Sequence, residues 1–321
     1  MHARLTPLAD PMIAVLLIAT ALAWVVPATG EARATAQTIS SAAIFFLFLV
    51  NGMRIARGEI GNGLANWRFF APLFVWVFGV MALAGWGVGV LAASVLPPLV
   101  ALGFVYLGVL PSTIQSATSY TTLANGNAAL SVVGAALINI AGVFVSAPLF
   151  AVLSGESGAN IGSEMIVRIG LILVLPFLVG QALQGWTREW IVARRSQVVW
   201  LDRIVIGIAV YVAFSGAIEE GLAHLFTLAD WAILLGLCVF MLMVATAGAW
   251  MLSGLLGYPR GDRIAFLFAG VQKSVAVGAP LAAILFPAQV AGFVIAPLLI
   301  YHLIQLIWAA PLATMFARSQ G

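Results

Sequence analysis

The sequence predicts an all-α membrane protein of ten transmembrane helices in two inverted five-helix repeats, 1–160 and 161–321. Three observations carry this expectation. Of 321 residues, 63% are hydrophobic and 8% charged, against roughly a quarter charged in soluble domains, which excludes a water-soluble fold. Ten apolar runs approach the length needed to cross a hydrocarbon core of about 30 Å, roughly 20 residues at 1.5 Å each. The arginines then fall on alternate sides in step with that count.

The first run, 11 to 27, follows Arg4 and opens at Pro11. Its exit, Val26-Pro27-Ala28-Thr29-Gly30, is a poor cleavage site and more spans follow, so it reads as a helix rather than a signal peptide. Charged or Pro/Gly breaks then bound runs at 36 to 53, 69 to 93, 97 to 121 and 128 to 153. The second half gives 165 to 185, 203 to 219, 230 to 254, 264 to 286 and 290 to 316. The seventh is the shortest, because Asp202 and Arg203 stand at its start.

With ten crossings, one side receives Arg4, Arg54, Arg57, Arg68, Arg188, Arg194, Arg195, Arg203, Arg260, Arg263 and Arg318, eleven basic residues. The other holds Arg33, with Arg168 just inside the sixth run, beside Glu31, Glu156, Glu164, Glu219, Glu220 and Asp230. Basic residues accumulate in cytoplasmic loops, so both termini are expected in the cytoplasm and the chain in a bacterial inner membrane. Losing one middle span would scatter the arginines over both faces. Two halves of five crossings that share a fold must be inverted. Ala147-Pro148-Leu149 and Ala310-Pro311-Leu312, which end the fifth and tenth runs, hint at such a repeat.

The net charge of +3 is thus topological, and no basic-aromatic cluster suits nucleic acid. The lone cysteine, Cys238, lies in an apolar run, which excludes disulfides and thiolate metal sites.

Polar or Gly/Pro-interrupted backbone at membrane depth is tolerated only where protein or a water-filled cavity surrounds it. Two stretches have this character. Leu110-Pro111-Ser112-Thr113-Ile114-Gln115-Ser116-Ala117-Thr118 continues to Asn125-Gly126-Asn127 in and beyond the fourth run, and Ala269-Gly270-Val271-Gln272-Lys273-Ser274 leads to Gly278-Ala279-Pro280 in the ninth. They hold equivalent places in the two halves, where inverted-repeat transporters put broken helices around a midplane site. The structural alternative is that the Ser and Thr hydroxyls bond back to their own helices and the small residues allow close packing.

Lys273 is the only lysine and lies deep within the ninth run. An ammonium there costs about 2.5–3.5 kcal/mol on insertion scales, so it needs partners. Gln115, Gln272 and broken-helix carbonyls are the candidates; a neutral amine is the alternative. Ser131 and Asn139 share a face of the fifth run, with Asn127 at its start, and His302 and Gln305 share a face of the tenth. Asn139 and Gln305 could equally bond helix to helix, and His302 could be a hydrogen-bonded packing residue.

At these stretches the chain resembles the bile acid:sodium symporter family, in its SBF-like branch. The resemblance runs in order through Phe45-Phe46, Gly52, Asn66-Trp67-Arg68, Leu110-Pro111-Ser112-Thr113, Gln115-Ser116, Asn125-Gly126-Asn127 and Ala129-Leu130-Ser131. It continues through Asn139, Gly142-Val143-Phe144, Gln272-Lys273-Ser274, Gly278-Ala279-Pro280, Tyr301-His302 and Ile304-Gln305-Leu306. It implies discontinuous crossing helices 4 and 9, a panel of helices 1, 2, 6 and 7, a core of helices 3–5 and 8–10, and alternating access. A small organic anion is the implied substrate, and Thr113, Gln115, Ser116, Thr118, Asn127, Ser131, Asn139, Gln272, Lys273, Ser274, His302 and Gln305 the implied substrate and ion site.

A sodium site in this pattern would use Ser116, Thr118, Ser131 and Gln272. Ser116 with Ala117 or Thr118 stands where the family has a Ser-Asn pair. The match is partial: Ala135 replaces a hydroxyl, Phe268 replaces a Glu, Lys273 replaces an Asn, and the helix-three Gln has no counterpart. Exchanging a carboxylate for an ammonium repels sodium, so Lys273 is expected to act as a built-in cation, with transport uncoupled from sodium or coupled to protons.

No cofactor is expected beyond a sodium ion or proton as coupling ion. The alternatives are a cation/proton antiporter, which needs an intramembrane carboxylate that no run clearly contains, and a regulatory membrane protein that transports nothing. An enzyme is not expected. Gly155-Glu156-Ser157-Gly158 has a rhomboid-like form but lies in an external loop, where His302 would have to reach it from a distant helix.

Overall fold

The computed structural model describes residues 11–54, 58, 66–155, 167–221 and 226–319. Arg4, Arg57 and the Glu156-Ser157-Gly158 segment lie outside the described residues. A backbone in hydrocarbon must satisfy its own N–H and C=O groups, and the described residues are accordingly helical with no strand. The helices are α1 (Pro11–Val25), α2 (Gly30–Arg54), α3 (Trp67–Ala92), α4 (Pro98–Val109), α5 (Ile114–Leu123) and α6 (Ala128–Ser154). They continue as α7 (Val167–Ala193), α8 (Arg195–Glu219), α9 (Leu228–Leu255), α10 (Arg260–Val271), α11 (Val275–Leu285) and α12 (Ala288–Arg318).

Seven of these, α2, α3, α6, α7, α8, α9 and α12, are long and apolar enough to cross a membrane; α1, α4 and α11 are shorter apolar helices. The fourth run is divided between α4 and α5, and the ninth between α10 and α11, each by a short extended stretch.

Two run starts and one run end are corrected. The second helix begins at Gly30 rather than 36, and its first turn carries Arg33, which pairs with Glu219 at 2.9 Å. The seventh begins at Arg195 rather than 203, because Asp202, which marked a boundary in the sequence, lies 3.1 Å from Arg54 of α2. That ion pair lets a carboxylate enter the helix, so the expectation that no span holds one is also corrected. α7 runs on to Ala193, beyond 185, with Trp186 and Trp190 exposed along its extension.

Two wide helical turns lie near prolines. Pro72 in α3 cannot donate to Arg68 O, which instead accepts from the Tyr258 hydroxyl, and a π-turn follows at Trp76–Val80. In α7 a π-turn at Gly170–Val174 precedes Pro176, and the Leu175 N–H reaches back to Gly170 O.

Helices in lipid associate through close packing at small residues. A Cβ on Gly52 of α2 would stand 2.2 Å from Phe177 O, and one on Gly180 of α7 2.2 Å from Leu49 O, so these two backbones touch. Gly85 and Gly108 bring α3 against α4 in the same way. α1, α2, α7 and α8 pack side by side. α3, α6, α9 and α12 pack around the two interrupted helices, α4 with α5 and α10 with α11, and α11 also reaches α2 and α8.

Candidate functional site

The two extended stretches cross and pair. Ser112 and Lys273 form an antiparallel bridge, in which the Thr113 N–H donates to Gln272 O at 3.1 Å and the Ser274 N–H to Pro111 O at 3.0 Å. One offset along the chain relates Pro111 to Gln272, Ser112 to Lys273 and Thr113 to Ser274, and it exchanges these two bonds.

Breaking a helix frees carbonyls, and every buried one needs a donor. Five successive carbonyls at the first break have theirs. Lys273 Nζ donates to Gly108 O at 2.9 Å and Leu110 O at 2.8 Å, and Ser146 of α6 donates to Val109 O at 2.8 Å. Pro111 O takes the Ser274 N–H, and Asn139 Nδ2 donates to Ser112 O at 3.1 Å. At the second break, the Tyr301 hydroxyl donates to Val271 O at 3.1 Å, and Thr113 Oγ1 to Lys273 O at 2.9 Å. Gln305 binds both backbone groups of Lys273: its Oε1 accepts the N–H at 2.7 Å and its Nε2 donates to the carbonyl at 3.0 Å. With Nε2 assigned as donor, His302 Nδ1, 2.8 Å away, accepts.

Lys273 is 1% exposed. Its Nζ caps the C-terminal, negative end of α4, where a helix carries about half a unit of negative charge. The partners are the broken-helix carbonyls foreseen from the sequence, whereas Gln115 is exposed and Gln272 Oε1 is buried without a hydrogen-bond partner among the described residues.

The predicted residues divide into two groups. Thr113, Asn139, Lys273, Ser274, His302 and Gln305 meet at or beside the crossing, with Ser274 Oγ capping α11 by accepting from the Val277 N–H at 3.3 Å. Ser116, Thr118, Asn127 and Ser131 lie along α5 and into the start of α6. Asn127 caps α6 and donates to Asp262 at 2.9 Å, and Ser131 Oγ accepts from Thr121 at 3.1 Å. Ser116 Oγ and Thr118 Oγ1 are buried with no hydrogen-bond partner among the described residues. These oxygens could hold a small cation or water, but they are neutral, and Phe268, in the place of the expected carboxylate, is packed with its ring 5.8 Å from that of Tyr120. No group of three or more His, Cys, Asp or Glu able to hold a metal occurs among the described residues.

Ser112, Ser146 and Tyr301 were absent from the predicted site. Ser146 follows Asn139 by seven residues, two helical turns on one face, a signal that sequence alone could have supplied.

Two cavities lie toward opposite ends of α2, the smaller of them beside the crossing. One, of about 50 Å³, is lined by Ile114, Asn139 and Val277 from the crossing side and by Asn51, Arg54 and Asp202 from α2 and α8. The other, of about 400 Å³, lies toward Arg33.

A model of the SBF-like CPA transporter family matches residues 10–318. The chain is 33% identical over 323 residues to the Escherichia coli (strain K12) protein YfeH, provisionally named a symporter, covering 98% of this chain and 95% of that one. It is 32% identical over 311 residues to an uncharacterized protein of Pseudomonas aeruginosa, covering 96% and 91%. To a Danio rerio protein named sodium/bile acid cotransporter 7 it is 24% identical over 278 residues, 84% and 81% of the two chains. Interrupted, paired helices within an apolar all-helical chain and a family match over nearly its whole length lead to one conclusion: the protein is a membrane transporter belonging to the SBF-like CPA transporter family.

Proposed function

We propose that the protein is a secondary active transporter that moves a small organic anion by alternating access, with Lys273 serving as a fixed cation in place of a coupling sodium ion. The observation that carries this reading is the Lys273 ammonium bound to Gly108 O and Leu110 O at the end of α4. A cation held there satisfies the carbonyls a broken helix would otherwise offer to a bound ion, and it repels a second cation.

The proposed topology counts α4 with α5, and α10 with α11, as single broken crossings, giving ten crossings with both termini in the cytoplasm of a bacterial cell. The antiparallel bridge with its exchanged bonds supports two inverted repeats, 1–160 and 161–321. The side-by-side packing of α1, α2, α7 and α8, which meet the helices around the crossing mainly where α8 lies on α12 and α11, supports a panel moving against a core.

An organic anion is favoured by the positive ends of α5 and α11, which both start at the crossing. Thr113 leaves α5 without a side-chain cap, and Ile114 and Val277 line the cavity that also contains Arg54. The unequal cavities, about 400 Å³ toward Arg33 and about 50 Å³ toward Arg54, fit a state open to the outside and closed toward the cytoplasm. Rocking of the panel would reverse them. The symporter and sodium/bile acid cotransporter names of the relatives agree with anion transport. A cation antiporter would need a free intramembrane carboxylate, and Asp202 is paired with Arg54.

The test is uptake of radiolabelled organic anions, taurocholate among them, into proteoliposomes. Uptake by the unaltered protein should not depend on a sodium gradient and should be lost in Lys273→Ala. Uptake that requires sodium and survives Lys273→Ala removes the proposal.

A further inference from the structure

Arg33 and Arg168 are the two basic residues that the charge pattern leaves on the side opposite the arginine-rich loops. They are far apart in sequence, yet both line the cavity of about 400 Å³. Gln37, Ser40 and Ser41 follow Arg33 along α2 into the same cavity, and Gln289 enters from the first turn of α12. The opposing wall, with Val212, Leu285 and Phe286, is apolar.

Three features there seek negative charge. Arg33 pairs with Glu219 at 2.9 Å, whereas Arg168 has no carboxylate within 4 Å among the described residues. The first turn of α12 follows Pro287, which provides no side-chain cap, so a positive helix end opens toward the cavity. Ser40 is 2% exposed and its Oγ, buried in this wall, has no hydrogen-bond partner among the described residues. A buried hydroxyl without a partner is costly unless something binds it.

We propose that this cavity is an external capture site for an amphipathic organic anion, in which Arg33, Arg168 and the α12 N-terminus hold one carboxylate or sulfonate group and the apolar wall receives the hydrocarbon body. A volume of about 400 Å³ lies in the range of small-molecule sites, roughly 300–1,000 Å³. The site is toward the Arg33 end of α2 and distinct from the crossing. It rests on the transport reading for its ligand class, and its test needs no transport.

The test uses full-length protein carrying Cys238→Ser and Ser41→Cys, in nanodiscs of phosphatidylcholine. The rates at which an anionic methanethiosulfonate (sulfonatoethyl) and a cationic one (trimethylammonioethyl) label Cys at 41 are compared with those for a free thiol. A positive charge near residue 41 attracts the anionic reagent and repels the cationic one, so the anionic reagent should be favoured at least about fivefold. Arg33→Gln with Arg168→Gln should erase that preference. In the protein with both arginines, 2-naphthoate should slow labelling, and the uncharged 2-naphthalenemethanol should not. No charge preference, a preference that survives loss of both arginines, or equal protection by the two naphthalenes would overturn the proposal. Slower labelling on adding phosphatidylglycerol, without naphthoate, would assign the site to a lipid headgroup and overturn capture of a soluble anion. If these rates behave as expected but proteoliposome uptake fails, the transport reading falls and the anion site stands.

Discussion

Lys273 Nζ lies 2.8 Å from the carbonyl oxygen of Leu110, which joins the ammonium of one interrupted helix to the end of the other. A hydrogen bond to a charged group contributes about 1.5–3 kcal/mol, and Lys273 makes two, to Leu110 O and Gly108 O. Relief of the ammonium's burial, about 2.5–3.5 kcal/mol on insertion scales, offsets much of that. Lys273→Met should therefore lower stability by only about 1–3 kcal/mol, seen as a fall of a few degrees in the Tm of purified protein. Lys273→Ala should open room for a small cation. Replacing choline chloride with sodium chloride should raise the Tm of Lys273→Ala and leave the unaltered protein unchanged; sodium stabilisation of the unaltered protein would contradict a built-in cation.

Gln305 and Asn139 both hold the crossing, with unequal stakes. Gln305 is fully buried and binds the N–H and the C=O of Lys273, whereas Asn139 is half-buried and binds only Ser112 O. Leaving two buried backbone groups unpaired costs about 1–3 kcal/mol each, so Gln305→Leu should destabilise by about 2–6 kcal/mol and Asn139→Ala by about 1 kcal/mol. Thermal unfolding of both variants in one detergent reads the ratio. Equal losses would mean that Gln305 does not hold the Lys273 backbone.

The crossing was legible because polar groups are expensive in hydrocarbon. Lys273 and the two polar stretches could hardly lie there without protein around them. Which groups would satisfy Lys273 was less legible, because the final partners, Gly108 O and Leu110 O, are backbone carbonyls that every residue carries. Gln115 has the right chemistry for the role, yet the turn of α5 leaves it exposed. The start of α8 was misread for a related reason. Asp202 looks like a boundary until Arg54, remote in sequence, is brought to 3.1 Å. Hydropathy weighs each charge alone and does not see a partner so distant along the chain. The antiparallel pairing of Thr113 and Ser274 with Gln272 and Pro111 needed three dimensions.

That same ion pair has a testable strength. The Arg54 and Asp202 side chains are 35% and 18% exposed, and Arg54 also donates to Asn51 Oδ1 at 2.7 Å. Partial solvation screens such a pair, so Arg54→Gln or Asp202→Asn should each cost about 0.5–1 kcal/mol. The exchanged pair, Arg54→Asp with Asp202→Arg, should recover most of the loss in a double-mutant cycle. If Arg54 also faces the transported anion, uptake in proteoliposomes should fall in Arg54→Gln by more than its Tm does, and the exchanged pair should not restore it.

Tyr258 offers a cycle that isolates one hydrogen bond. Its hydroxyl donates to Arg68 O, the carbonyl that Pro72 leaves without its helical partner. Tyr258→Phe should cost about 1 kcal/mol, because the freed carbonyl at the end of α3 loses its donor. In a Pro72→Ala background residue 72 regains an N–H four residues from Arg68, and Tyr258→Phe should then cost much less. Burial, followed by the charge of Asp262, raises the Tyr258 phenol above its usual range. Its contribution is therefore complete below the ordinary phenol pKa, about 10, and is lost as pH rises through the raised folded value. Tyr258→Phe should flatten the alkaline end of a Tm-against-pH curve. An unchanged alkaline slope, or the same cost for Tyr258→Phe with and without Pro72, would show that this hydroxyl does not complete the α3 ladder.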